Sequence, residues 1–553
     1  MADGLSIVCV ARIGNHAALA AELPVDAPTG SEAELLLSLY RHLGPESLET
    51  VDGEFALVIV DSLRDEIVLA RDFFGFAPLY YAALPSGGFA FASEYKALLA
   101  LPDVDPVVDR SMLQYLQHAK KLPVGRTLLT SVHAALPGTV ATVTRSGATV
   151  ATHSFRPLAV DDVIVREKVA VPVLRDALID AVRRAADDLD PIGLALSGGI
   201  DSVGLAFVLR SVYPDREIHT FTTGYGAEDP EIRTAAQVAE AIGSVHHEVI
   251  TSPALLEEEL AELVWHLEDP FARSEVLQLF EIGKAAAGHV DVVLTGQGSD
   301  SLFGGMPRYR LLRLLQRLPF LRPSLTELYD LATKGLLPRR RMARLMARFY
   351  YRDGVSPVPA ILGSEYSAPR HGAFDVGREF VNRQMAEGYQ SGQALDIPKY
   401  ERSFAASGVS LRSPYCDVEF ARVAFRISDR LKIRGVNSKY ILRRTLAAFM
   451  PTSLTKLPKR MQRMRCDLVF SRVLDGVADA VLSAESIEKR GFMAREEVWK
   501  LRQRDPDSPY PYESAMRLWT AILTEFWARE FLDRRGHRPD VTVDHGEREL
   551  RRA

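Results

Sequence analysis

Two acidic glycine turns carry the residues with the clearest chemistry in this chain. The first is Leu194-Ala-Leu-Ser197-Gly198-Gly199-Ile200-Asp201-Ser202, an apolar run that enters a glycine turn and is followed by a helical pattern over Val203–Tyr213. Consecutive small residues let the backbone approach a ligand. The N–H groups of the turn and of the first helical turn converge on one place, where the helix dipole also favours an anion. Ser197 and Ser202 add hydroxyl donors. Asp201 is a poor neighbour for a phosphate unless a divalent cation lies between them, and magnesium pyrophosphate satisfies both. The second turn, Thr295-Gly296-Gln297-Gly298-Ser299-Asp300, runs on into Leu302-Phe303-Gly304-Gly305. It supplies a second carboxylate, as a metal-bound pyrophosphate opposite Asp201 requires. Taken singly, each is an ordinary glycine turn with a helix cap; two at strand ends of one sheet point to metal.

The elements that must position these turns follow from the pattern of the chain. Residues 1–155 read as short β-branched and aromatic strands at Ser6–Ala11, Phe55–Val60, Glu66–Ala70, Pro78–Tyr81, Gly88–Ala92 and Thr139–Val143, with helices at Ser31–His42 and Arg110–His118. This predicts an α+β domain with antiparallel sheets. From 170 to 535 helices and strands alternate: a helix over Val171–Asp188, strand Ile192–Leu196, the helix from Val203, strand Ile218–Thr223, a helix from Asp229-Pro230 to about Gly243, and strand Asp291–Leu294. That alternation predicts an α/β domain with a parallel sheet and extra helices, whose ligands bind beyond the carboxyl ends of the strands. The helix around Trp519 and Trp527 reads as core. Residues 536–553 are polar and charged, and read as a disordered tail.

Composition limits the partners. A formal charge of −5 gives no reason to expect nucleic acid or an anionic membrane. No apolar run approaches the roughly twenty residues of a membrane helix. Cys9, Cys416 and Cys466 are odd in number, scattered and without zinc spacing, which fits reduced thiols in a cytoplasm.

The first turn resembles the SGGxDS pyrophosphate loop of ATP pyrophosphatases, and the resemblance widens along the chain. His219-Thr-Phe-Thr-Thr-Gly-Tyr225, His246-His-Glu-Val, Val264-Trp-His-Leu-Glu268-Asp269-Pro-Phe271, Leu294–Gly305, Leu411-Arg-Ser-Pro-Tyr-Cys-Asp417 and Ser438-Lys439-Tyr-Ile-Leu-Arg443 recur in order as in the synthetase domain of asparagine synthetase. The resemblance implies ATP and Mg²⁺ as cofactors. Leu196, Thr223, Thr295 and Gly296 would line the AMP half of ATP. Ser197, Gly198, Gly199, Asp201 and Ser202 would hold pyrophosphate, with Asp201 and Asp300 on the metal. Lys439, placed with Arg443 on one face of an amphipathic helix, would stabilise charge as an acyl-adenylate forms and breaks; its bland reading is a solvated helix charge. Gln297 stands where asparagine synthetase has Glu and β-lactam synthetases have Tyr, and it cannot act as a base.

The first 155 residues resemble that family's glutaminase domain through Gly53-Glu-Phe-Ala-Leu, Leu69-Ala-Arg-Asp72 with Gly75, and Phe91-Ala-Ser-Glu94-Tyr-Lys96. The departures are larger. Position 2 is Ala where the family's nucleophile is Cys, Val10-Ala-Arg12 replaces Asn-Gly-Glu, and Thr29-Gly-Ser-Glu32 replaces Ser-Asp-Thr-Glu. The expectation is a degenerate, N-terminally shortened domain that does not hydrolyse glutamine, with Cys9 a buried structural thiol. Degenerate glutaminase domains of this kind occur in β-lactam synthetases and lasso-peptide cyclases. The chain is therefore expected to be an ATP-dependent carbon–nitrogen ligase. Its substrate would be a small molecule or peptide carrying both carboxylate and amine, in natural-product biosynthesis, with room for biosynthetic partner proteins. An ammonia-using asparagine synthetase-like enzyme, glutamine use from a start lying upstream, and a non-catalytic ATP-binding partner remain alternatives. Two basic stretches, Arg339–Arg348 and 458–466, read as a solvated helix face or a site for an acidic or extended substrate, and as a mobile loop near the site.

Overall fold

A computed structural model describes residues 4–538 apart from 120, 145–148, 156–157, 161, 225, 227–228, 251–255, 274, 308, 311, 314–373, 377–378, 436 and 458–466. Both basic stretches, Cys466 and most of the expected tail lie outside the described residues. Gly536, the tail's first residue, is packed: its carbonyl accepts the Trp265 indole N–H at 2.8 Å.

The N-terminal part contains β1 (Leu5–Ile13), β2 (Gly53–Asp61), β3 (Glu66–Arg71), β4 (Tyr80–Ala83), β5 (Phe89–Ala92), β6 (His133–Ala134), β7 (Thr139–Thr144) and β8 (Thr149–Ser154). They form two antiparallel sheets, ordered β1-β2-β3-β7-β8 and β5-β4-β6. Alternation along β2 and β3 explains the layering. Leu57, Ile59 and Val68 face helix Glu32–Leu43 through Leu35, Leu36 and Leu39, while Ala56, Val58, Ile67 and Leu69 face Leu79 and Ala135 beside the smaller sheet. Ser31 starts that helix with a capping box, its hydroxyl accepting Glu34 N–H while Glu34 accepts Ser31 N–H. A two-residue strand β9 (Leu158–Ala159) pairs with β14 (Phe374–Asp375).

The C-terminal part is built on a parallel sheet of β10 (Ile192–Ala195), β11 (Ile218–Gly224), β12 (Val245–Ile250), β13 (Val292–Leu294) and β15 (Ser410–Arg412), ordered β12-β11-β10-β13-β15. Two strands of this sheet lie outside the expected set. β12 is an edge strand with alternating exposed residues, and β15 has three residues, too few for a pattern. The chain leaves β10 toward β11 on one side and later returns as β13 on the other, so the strand order reverses at β10. A crevice at the carboxyl ends of β10 and β13 follows from that topology. Trp519 and Trp527 are buried in the core as expected, and among the described residues no helix is long and apolar enough to cross a membrane.

Candidate active site

The crevice receives both glycine turns. Gly199, extended at φ −88°, caps helix Ile200–Val212, so the helix begins three residues earlier than its apolar pattern suggested. Asp201 and Ser202 thus lie in its first turn. Ser202 braces the loop: its hydroxyl donates to Ser197 O at 3.0 Å, accepts Ser197 N–H at 3.0 Å and lies 2.9 Å from Ser197 Oγ. The strand end beneath is equally tied, with Leu196 N donating to Phe221 O at 2.8 Å and Thr222 Oγ1 to Leu196 O at 2.5 Å. Leu196 and Thr223 are buried there.

The second turn closes against the first. Gly298, at φ +93°, would drive a Cβ to 2.9 Å from Tyr415 O, so only glycine suits that corner. Gly296 sits so near that a Cβ would lie 3.1 Å from both Asp201 Cβ and Ser202 N. Ser413, just beyond β15, donates its hydroxyl to Thr295 O at 3.1 Å and Gln297 O at 2.8 Å. Gln297 is half-buried, its carbonyl held by Ser413. The Thr295 hydroxyl is buried without a hydrogen-bond partner among the described residues. Such a group ordinarily has one, so a ligand donor or acceptor fits beside it.

Lys439 joins the two turns. Its Nζ lies 2.5 Å from Asp201 Oδ2 and 2.5 Å from Asp300 Oδ1, and the side chain is 2% exposed. Burial acts to lower its pKa, but Asp201 and Asp300 outweigh it and hold the ammonium above its ordinary value. Ser299 Oγ donates to the other oxygen of Asp201 at 2.7 Å. Two carboxylates converging on one cation at the mouth of an amide-rich turn are a donor set suited to magnesium.

The expected helical placement of Lys439 is corrected. It is the N-cap of helix Tyr440–Leu446, with φ +55° and ψ 29°. This left-handed conformation turns its side chain toward the acidic pair, at a backbone cost of about 1 kcal/mol or more. Arg443 does not share the site: its guanidinium donates to Ser438 O, Thr455 O and Leu457 O. Ser299, Ser413 and Gly305 were missed as site residues although each falls inside a quoted motif. Gly305 leaves room for the acidic pair, since a Cβ there would fall 2.0 Å from Asp300 Oδ1 and 2.4 Å from Lys439 Cε.

In the N-terminal part, the residues at the degenerate positions have structural partners. Arg12 pairs with Glu54 at 2.9 Å, Glu32 accepts Ile13 N–H at 3.1 Å, and Ser31 caps a helix. Cys9 is half-buried rather than fully buried, because β1 is an edge strand. Burial and Glu32 push its thiol up, which opposes thiolate formation.

An asparagine synthase family model matches residues 173–529, and a glutamine amidotransferase domain model matches residues 2–155. Glutamine-hydrolysing asparagine synthetase 1 of Bacillus subtilis is 29% identical over 449 residues, covering 76% of this chain and 69% of that protein. A putative glutamine-hydrolysing asparagine synthetase of Mycobacterium tuberculosis is 31% identical over 462 residues, covering 78% and 70%. Asparagine synthetase B of Escherichia coli is 24% identical over 500 residues, covering 87% and 74%.

Proposed function

The chain belongs to the asparagine synthase family of ATP-dependent amide-forming ligases, and from that premise we propose that it joins a substrate carboxylate to an amine carried by the substrate, in natural-product biosynthesis of the β-lactam or lasso-peptide kind. The observation that carries the reading is the Lys439 ammonium held between Asp201 and Asp300 at the mouth of the Ser197–Ser202 turn.

A carboxylate is a poor electrophile at neutral pH and needs a leaving group before an amine can attack. The turn amides and the Ser197 hydroxyl bind the pyrophosphate part of ATP, and Thr295, Gly296, Leu196 and Thr223 receive the AMP part. Magnesium bound at Asp201 and Asp300 would neutralise pyrophosphate charge. Lys439 keeps its proton and stabilises charge at the α-phosphate while the carboxylate attacks and again while AMP leaves. Gln297 is neutral and takes no proton from the amine.

The nitrogen source is argued from the N-terminal part. Its Arg12, Ser31 and Glu32 are engaged in holding the fold, and its half-buried thiol disfavours the thiolate. These observations support a nitrogen that does not come from glutamine at this domain. The residues fall into three proposed units, 1–155, 170–535 and a tail from 536.

The test is AMP and pyrophosphate release from Mg-ATP with aspartate, linear amino-dicarboxylates and precursor peptides, each with and without ammonia or glutamine. Release that needs only an amine-bearing acid is expected. Release confined to aspartate plus ammonia would replace this reading with an asparagine-forming one. Asp201→Asn and Asp300→Asn should each abolish release, and retained activity in either would remove the metal assignment.

A further inference from the structure

The amino ends of the parallel strands hold a cluster that the ligase chemistry does not use. His219 near the start of β11, His247 on β12 and His289, in the turn between helix Glu275–Ala286 and β13, each bring a ring nitrogen to within 4.8 Å of the others. His219 Nδ1 and His247 Nε2 face each other at 3.0 Å in rings only 11° from parallel. The His289 ring centre lies 4.5 Å from that of His247 and 5.4 Å from that of His219. His219 Nε2 lies 2.6 Å from Glu217 Oε1. A carboxylate there keeps the proton on Nε2 and leaves the Nδ1 lone pair aimed into the cluster. The same carboxylate–imidazole pairing orients metal-bound histidines.

The burial is graded in a useful way. His219 is buried, His247 half-buried and His289 exposed, so one side of the cluster opens to solvent and leaves a position for water. Imidazole nitrogens bound to a tetrahedral ion at roughly 2.0–2.1 Å stand about 3.3 Å from one another. Reaching that arrangement requires His219 and His247 to turn out of their mutual 3.0 Å contact onto a common point, with exposed His289 swinging in to join them. Three imidazoles suit zinc and the neighbouring borderline cations cobalt, nickel and copper, and not magnesium, which prefers oxygen.

We propose that His219, His247 and His289, oriented by Glu217, form a second metal site for a zinc-class divalent ion. His219 precedes Thr223 by four strand residues, roughly 13 Å, so the ion is remote from the nucleotide crevice. It ties β11 and β12 to the turn that feeds β13, the strand whose end carries Gly296 to Asp300. Binding to the folded chain stabilises it by mass action.

Tag-free, chelator-stripped protein in excess Mg²⁺ is titrated with Zn²⁺ by calorimetry and with Co²⁺ by visible absorption, with thermal unfolding followed in parallel. One ion per chain, the d–d bands of nitrogen-bound low-coordinate cobalt and a raised Tm are expected. Glu217→Gln should weaken binding about 10–100-fold. His289→Ala, an exposed change that leaves the fold intact, should remove stoichiometric binding, and His247→Gln should do the same. Absence of stoichiometric zinc in the wild-type chain, or binding that survives His289→Ala, overturns the site.

Discussion

At the scale of single residues, Lys439 is where structure and chemistry are most tightly coupled. Its ammonium touches both carboxylates, and its left-handed backbone is retained although it is neither glycine nor asparagine. Replacing it with Met keeps much of the length and removes the charge. Asp201 and Asp300 then lose the ammonium that lies between them in a partly buried crevice. Lys439→Met should lower the rate of pyrophosphate release by about 10²–10³-fold, as losing one pre-positioned charge donor does elsewhere. The KM for ATP should move far less, because the turn amides remain. Single-turnover rates with saturating Mg-ATP distinguish this from a loss of nucleotide affinity, which would raise KM and leave the saturated rate intact.

At the scale of elements, the site depends on packing tolerances that glycines provide. Gly305→Ala would push a methyl into Asp300 and the Lys439 stem, displacing both by an ångström or more while the surrounding helices keep their cores. A displacement of that size costs about 10²-fold in rate; circular dichroism should stay native while release falls, and an equally native rate would show that the corner can give. A second element-level expectation concerns pH. Glu401, on helix Phe380–Ala405, accepts Leu411 N–H at 2.7 Å and so locates β15, and burial pushes its carboxyl up to about 8 from an ordinary value of 4.5. Because the folded state favours the protonated form, its contribution is full below about pH 4.5 and is lost as pH rises toward about 8. Glu401→Gln stays neutral throughout. Its Tm should match the wild type near pH 4 and exceed it at pH 9, by an amount on the order of a few kcal/mol in stability; parallel Tm–pH curves would refute the burial. These elements also show what the sequence could reveal. β10 and β13 were legible as apolar runs leading into glycine turns, β11 as a β-branched and aromatic run ending in threonine–glycine, and the helix from Pro230 because Asp229 and Gly243 are its caps. β12 was not, since its histidines and exposed Val245 and Ile250 break the buried-strand pattern. The cap position of Lys439 left no local signature, since tertiary contacts with Asp201 and Asp300 select it.

At the scale of the molecule, the N-terminal and C-terminal parts are locked by one buried charge cluster, and two quoted motifs acquire a physical reason there. Arg402 donates to Glu268 at 2.5 Å and to Ser93 O at 2.9 Å, while Glu268 also accepts Lys96 N–H at 2.7 Å. Tyr95 donates to Glu268 O and accepts from the Trp527 indole. The Phe91–Lys96 stretch thus meets the Glu268–Phe271 stretch through a carboxylate that is 0% exposed, paired with a guanidinium that is 5% exposed. Such a pair adds little net stability over an apolar one, but breaking it leaves the buried Glu268 carboxylate with only the more distant Lys96 ammonium, 3.9 Å away. Arg402→Met should therefore destabilise the chain by about 3–5 kcal/mol. Adding Glu268→Gln to that variant removes that carboxylate's charge while keeping an acceptor for Lys96 N–H, and should recover most of the loss. Urea midpoints of the wild type, both single variants and the double variant give the coupling directly. Recovery in the double variant, together with retained crevice chemistry, would mean that the cluster specifies how the two parts dock rather than how strongly they adhere. Additive losses would mean that Arg402 acts through its packing against Tyr80, 5.3 Å from the ring centre, and not through charge.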